Sequence, residues 1–265
     1  MDERSGMPGP VMAVDIGNST VKCALLDPDR WQVVARTGTH PCESLSERLQ
    51  QEWAELDGQL PEQCAISSVC PDANEAVEEF WHALGASSAP AYFQRDIPIP
   101  LETLTDEPER VGTDRLLCAL GAREIAGAPC VVVGVGTAIT VDLVDGRGRF
   151  AGGAIAPGPT MALKALNHYT ACLPLVEKRK SKTAVEQGTE AAMRSGVYWM
   201  CRGGVDRLVG QVRAEAADWE AAVVVTGGEA DLLLPLSTGS PLHWEPELIF
   251  SGMWKALQSH ESSAV

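Results

Sequence analysis

Pro10-Val11-Met12-Ala13-Val14-Asp15-Ile16-Gly17-Asn18-Ser19-Thr20-Val21-Lys22-Cys23-Ala24-Leu25-Leu26-Asp27 is the stretch on which the reading of this chain turns. A short apolar run ends in Asp-x-Gly-Asn-Ser, and a second run, alternating with small or polar residues, leaves it. Two strands joined by a tight turn are the simplest reading. Gly17 lets a ligand approach the backbone closely, and Asn18, Ser19 and Thr20 add side-chain donors beside the N–H groups of the turn. That combination suits phosphate oxygens. Asp15, at the strand end, is suited to hold a Mg²⁺-bound water. Taken alone, the stretch fits an ordinary hairpin with a polar turn equally well.

A second copy breaks the tie. Cys130-Val131-Val132-Val133-Gly134-Val135-Gly136-Thr137-Ala138-Ile139-Thr140-Val141-Asp142-Leu143-Val144-Asp145 repeats the design of apolar strand, Gly-containing turn and apolar strand. A shift of 119 positions brings Gly136 under Gly17 and Thr137 under Asn18. Two phosphate-facing hairpins in two halves of one chain imply duplicated domains facing one nucleotide. Gly134 falls where the first copy has Asp15.

The rest of the composition narrows the class. The 265 residues are long enough for a large core or two compact halves, and 45% of them are hydrophobic. Thirty-six acidic residues against 21 basic ones give a net charge of −15, which disfavours nucleic acid and anionic membrane as partners. Eight cysteines show no C-x-x-C spacing and the five histidines no ligand pattern, so reduced thiols in a cytosolic protein are expected rather than a zinc site. No apolar run approaches the ~18 residues of a membrane span, and no signal-peptide core opens the chain. The expectation is a soluble, cytoplasmic protein.

Outward from the first hairpin, residues 1–8 read as a polar tail and residues 31–36 as a third strand. Leu45, Leu49, Trp53 and Leu56 recur at helical spacing. Residues 65–69 form a short strand whose Ser67 and Ser68 either end it plainly, the favoured reading, or line a site. Asp72 with Glu75 makes a capping box for a helix that stops at Gly85. Residues 98–108, rich in proline and acid, read as a loop. They lead to Val111-Gly112-Thr113-Asp114-Arg115 at the start of a helix ending at Gly127. A carboxylate there is a cap, or it is a base beside an arginine that fixes an anion.

In the second half, residues 150–158 read as a strand whose double glycine marks a bulge or close approach. A helix follows, with its stop near Leu173-Pro174. Residues 177–182 form a charged loop, and a helix from Thr189 to about Ala214 has a possible break at Gly203-Gly204. A strand over 221–225 turns at Thr226-Gly227-Gly228 into a helix near Glu229, and a short strand over 247–250 precedes a last helix over 253–257. Strand-helix alternation of this kind belongs to an α/β fold.

Taken together, Asp15-Ile16-Gly17-Asn18-Ser19, Ser67-Ser68-Val69-Cys70-Pro71, Gly112-Thr113-Asp114-Arg115, Gly136-Thr137-Ala138, Gly152-Gly153-Ala154-Ile155-Ala156-Pro157-Gly158, Thr170-Ala171-Cys172-Leu173-Pro174 and Thr226-Gly227-Gly228 occur in fixed order. The ordered set resembles the type III pantothenate kinases of the acetate kinase/sugar kinase/Hsp70/actin superfamily. The resemblance implies two duplicated ribonuclease-H-like (actin-like ATPase) domains, over residues 10–118 and 119–258, with a nucleotide cleft between them. It also implies a homodimer and ATP-dependent phosphorylation of pantothenate, the first step to coenzyme A. By the same resemblance Asp15, Ile16, Gly17, Asn18, Ser19, Thr20, Val21 and Lys22 cradle ATP phosphates with Mg²⁺. Thr137 contacts the nucleotide from the other domain, and Gly227 and Gly228 lie near the adenosine. Gly112, Thr113, Asp114 and Arg115 bind pantothenate, with Asp114 as base for its primary hydroxyl. Thr189 reaches pantothenate across the dimer interface.

Three departures from the family pattern touch the site. Thr105 stands where the family has a tyrosine of the substrate loop. Glu186 and Gly188 replace a Gly and an Asn before Thr189. Gly134 replaces the Asp that holds a monovalent cation, K⁺ or NH₄⁺. They keep open two other readings, a nucleotide-binding protein with impaired turnover and a kinase for another small alcohol.

Overall fold

The computed structural model describes residues 10–27, 30–54, 61–218, 220–237 and 241–262. By contact density the chain divides into two units. One holds residues 1–101, 109–121 and 249–265, the other residues 102–108 and 122–248. The residue tail 1–8 and Leu56, both named above, lie outside the described residues.

The first unit is built on β1 (Val11–Ile16), β2 (Thr20–Asp27), β3 (Arg30–Gly38), β4 (Gln63–Ser68) and β5 (Ala91–Tyr92). Their order is β3-β2-β1-β4-β5. The first three run antiparallel, and β4 and β5 continue parallel to β1. On one face, Met12, Val14, Ile16, Cys64 and Ile66 bury against α1 (Leu45–Ala54) and α2 (Asn74–Ala83). Trp53 of α1 meets Phe80 of α2 edge to face, ring centres 6.2 Å apart. Burying one such ring contributes about 1.5–3 kcal/mol, so this pair ties the two helices over the sheet.

The second unit repeats the arrangement. It holds β6 (Cys130–Val135), β7 (Ala138–Val144), β8 (Phe150–Pro157), β9 (Ala222–Thr226) and β10 (Leu242–Trp244), in the order β10-β9-β6-β7-β8. Again three antiparallel strands are followed by two parallel ones. Val131, Val133, Val135, Val223 and Val225 pack against α4 (Pro159–His168) and α5 (Thr189–Glu215). The remaining helices are α3 (Thr113–Ala126), α6 (Ala230–Leu233) and α7 (Leu248–Ser262). This is the α/β architecture of two like halves that the duplicated hairpins implied. Among the described residues no helix is long and apolar enough to cross a membrane. Among the described residues no cysteine is in a disulfide, and burial pushes the thiols of Cys23 and Cys130 up to about 12, which leaves them inert.

Several local expectations are corrected. Asp72 does not cap α2: Pro71–Ala73 forms a 3-10 turn, the N-cap is Ala73, and no side chain caps it. The proline sets that turn before the helix can begin. α4 ends at His168, short of Leu173-Pro174. α5 runs unbroken through Gly203-Gly204, because Met193, Val197, Cys201, Val205 and Val209 form one buried stripe while the two glycines face solvent. Residues 247–250 are not a strand. Leu248, Ile249 and Phe250 open α7, and their burial continues at Met253, Ala256 and Leu257 with helical period. A short apolar run cannot distinguish the two states. The last strand is the partly exposed β10 instead.

The boundary expected at 118/119 falls inside α3, whose residues up to 121 group with the first unit. α7 groups there too: Gly252 has no room for a Cβ against the Leu117 backbone of α3, so the two helices pack backbone to backbone.

Candidate functional site

Two charged residues of the first hairpin stand in one row of its sheet. Asp15 is opposite Lys22 on β2 and Ser67 on β4, and residues opposite one another share a face. Ser67 is fully buried, and its Oγ has no hydrogen-bond partner. The turn above the row is braced from below. Gly17 N donates to Thr20 O (3.0 Å), and fully buried Thr39 donates through Oγ1 to Gly17 O (2.7 Å) and through N to Ser19 O (3.2 Å). With the turn so held, Asn18 and Ser19 are exposed at its tip.

β4 connects this row to the start of α3. Val69 N donates to Ile16 O (3.0 Å), and a Cβ built on Gly112 would lie 3.7 Å from Val69 Cγ1. The same Cβ would lie 2.5 Å from Asp114 Oδ1, so any side chain at 112 would displace that carboxylate. Asp114 Oδ1 accepts from Arg115 N (2.9 Å). Burial pushes the Asp114 carboxyl above its ordinary value, against the opposing pull of the Arg115 N–H and charge. Thr113 donates to Gln94 Oε1 (2.8 Å), and Gln94 is held at φ +67°. The first unit thus gathers residues 15–22 and 112–115 around the end of β4.

In the second unit the matching row is nearly uncharged. Gly134 stands opposite Thr140 on β7 and Thr226 on β9, and a Cβ at 134 would lie 2.7 Å from Thr140 Oγ1. Gly136 N donates to Ala138 O (2.9 Å), and Gly158 N to Thr137 O (3.0 Å). Gly158 has no room for a Cβ against the carbonyls of Gly136 and Thr137. Gly227, at φ +101°, lies against the Val135 backbone, where only glycine fits, and Glu229 N donates to Val135 O (2.9 Å). Thr137, Gly158 and the turn 227–229 therefore meet at the end of β6.

Thr105 and Thr189 occupy other places in this unit. Thr105 sits beside β8, its methyl 3.6 Å from the Cβ position of Gly152, and its Oγ1 is buried without a partner. Thr189 is exposed at the first position of α5. Gly153 of the double glycine lies against the buried Asp142 and the Val141 carbonyl, the close approach its pattern implied. Thr39, Gln94 and Glu229 escaped sequence reasoning. A left-handed glutamine and a bracing threonine carry no local signal, whereas Glu229 is flagged only by following Gly227-Gly228.

A sequence model described as Type III pantothenate kinase matches residues 11–211. The chain belongs to the type III pantothenate kinase family. It is 31% identical over 252 residues to the type III pantothenate kinase of Gluconobacter oxydans, covering 92% of this chain and 91% of that protein. It is 30% identical over 258 residues to that of Maricaulis maris, covering 92% and 97%. The crystal structure of MreB 5 of Spiroplasma citri bound to AMPPNP aligns with a TM-score of 0.58 at 10% identity, covering 97% of this chain and 99% of that one. That likeness shows a shared actin-like ATPase fold.

Proposed function

We propose that the chain transfers the γ-phosphoryl group of ATP to the primary hydroxyl of pantothenate, giving 4′-phosphopantothenate. The observation that carries this reading is Asp114, a partly buried carboxylate oriented by Arg115 N and lying where a side chain at position 112 would displace it. A carboxylate so held accepts the hydroxyl proton as the oxygen bonds to phosphorus and the bond to the β-phosphate oxygen breaks, releasing ADP. Arg115 offers a fixed positive charge for the carboxylate of pantothenate. Asp15 to Lys22 are read as phosphate contacts of the first unit, and Thr137 and Gly227-Gly228 as nucleotide contacts of the second.

Magnesium fits the residues present. Asp15 and the unpartnered hydroxyl of Ser67 in the same row suit a metal-bound water better than a closed cage. Among the described residues no three His, Cys, Asp or Glu side chains cluster as an all-protein metal site. The ion would neutralise phosphate charge in the transfer. A monovalent cation at position 134 does not fit, because Gly134 supplies no carboxylate and Thr140 Oγ1 borders the space a side chain would take.

The protein is read as a homodimer. Trp199 and Met200 expose large apolar surface on α5, the element that begins with Thr189. Mixing Asp114→Asn and Thr189→Ala protomers then restores one working site per mixed dimer, and a fully active monomer by sedimentation overturns the assignment. Eight cysteines with no disulfide among the described residues suit a cytoplasmic setting.

Gly134 with Thr140 specifically favours a second reading, a nucleotide-binding member with weak turnover. Thr105 keeps a different small alcohol in play as acceptor. A coupled ATPase assay over a panel of hydroxylated metabolites decides among them: selective turnover with pantothenate supports the first, nucleotide binding without turnover the second, and a preference for another alcohol the last.

A further inference from the structure

The side chain of Glu229 is only 13% exposed, and its partners come from two distant segments. Oε1 accepts from Thr160 Oγ1 (2.7 Å), at the start of α4, and from Lys178 Nζ (2.9 Å), in the charged loop 177–182. Oε2 lies 3.4 Å from Thr160 N, and Lys178 Nζ lies 3.2 Å from Thr160 Oγ1, so the three polar groups close a ring. Glu229 N is bonded to Val135 O at the end of β6. One residue therefore ties the turn 227–229 to β6, to α4 and to the loop. Thr160 follows Gly158, which is itself bonded to Thr137.

Stability alone explains this arrangement poorly. Lys178 is 40% exposed, and half-exposed ion pairs contribute only about 0–1 kcal/mol. The apolar core of the unit is complete without the ring. Charge gives a better reason. In a chain of net charge −15, a carboxylate beside a turn that meets a nucleotide repels the phosphates unless a cation cancels it. Lys178 is that cation, and Lys180 of the same loop reaches Asp231 at 3.9 Å and Leu234 O at 3.4 Å.

We propose that Glu229, Thr160 and Lys178 form a positioning triad for the nucleotide: Glu229 sets the Gly227-Gly228 turn, Thr160 orients its carboxylate, and Lys178 cancels its charge. This rests on the reading of Gly227 and Gly228 as nucleotide contacts. None of the three residues touches the reacting atoms.

The test is titration of the full chain with a ribose-labelled fluorescent ATP analogue and Mg²⁺, alongside thermal melts and pantothenate KM. Lys178→Met leaves a bare carboxylate and weakens nucleotide binding about tenfold, equivalent to about 1.4 kcal/mol. Lys178→Met combined with Glu229→Gln removes that carboxylate and recovers most of the loss, since glutamine still accepts from Thr160. Pantothenate KM and melting temperature stay near the parent values in both. A purely structural ring gives the reverse order, with the double variant less stable and no better at binding. That result, or unchanged binding in Lys178→Met, overturns the proposal. Should the unmodified protein bind no nucleotide, the donor assignment fails and takes the triad with it; should it bind while all variants match it, only the triad fails.

Discussion

The two hairpins share one frame and carry different chemistry. In the first, Ile16 pairs with Val21 across a four-residue turn; in the second, Val135 pairs with Ile139 across three. The first sets Asp15 against Lys22 and Ser67; the second sets Gly134 against Thr140 and Thr226. Strand order and core demand only apolar residues on one face, so they survive divergence of the other face. The first unit became the one with charge, through Asp15, Lys22, Asp114 and Arg115. The second became the one with close approach, through Gly158 and Gly227 against backbone and Gly134 against the Thr140 side chain. Loss of charge in the first should therefore appear in turnover, and loss of space in the second should appear in binding and stability.

The sharpest break is Asp114→Asn. Removing a general base lowers kcat by about 10²–10⁴-fold, while ATP binding persists; near-normal turnover in steady-state assays would refute the role. On the other side of the comparison, Gly227→Ala forces a side chain to φ +101° against the Val135 backbone. Such strain costs about 1–3 kcal/mol, and it should emerge as a lower denaturation midpoint with weaker nucleotide binding and little change in kcat at saturation.

Asp114 also sharpens the comparison through pH. Burial raises its folded pKa above the ordinary carboxylate value of 3.8. The base must be ionised, so kcat/KM rises with pH through that raised pKa, and the acid limb lies higher than a solvated carboxylate would give. The stability effect has the opposite sense. A raised folded pKa contributes stability present below the unfolded pKa and lost as pH rises through the folded one. Asp114→Asn should then be more stable than the parent at neutral pH, with the advantage shrinking in acid; denaturant melts across pH measure it. The smallest effect concerns Gly134. Initial rates in K⁺ and in a non-binding cation at matched ionic strength should coincide, whereas Gly134→Asp, once Thr140 rotates aside, should acquire a K⁺ response. Strong K⁺ activation of the unmodified protein would show that the second hairpin needs no carboxylate.

Both hairpins, α3 and the position of Asp114 and Arg115 in its first turn were legible, because each rests on local patterning of glycine and apolar residues. The helix over residues 248–250 was not, since Leu248-Ile249-Phe250 is buried on every side and loses the period that marks a helix. α5 defied its glycine pair because a stripe of residues four apart outweighed their poor propensity. The props of the site were hidden for another reason. Thr39 reaches the first turn from 20 residues away, Gln94 reaches Thr113 from 19, and Thr160 reaches Glu229 from 69. Local pattern holds no record of such meetings.

The packing of α7 on α3 has a consequence for how the molecule is made. The helix that carries Asp114 finds its backbone-to-backbone partner at Gly252, near the other end of the sequence. While the chain is being synthesised, the second unit has all its strands available before the first has its closing helix. Domains usually fold in the order they leave the ribosome. Here the first-born unit must wait, its α3 surface uncovered, until residues 249–262 emerge. A stalled or clipped chain would thus carry intact hairpins and an unfinished base.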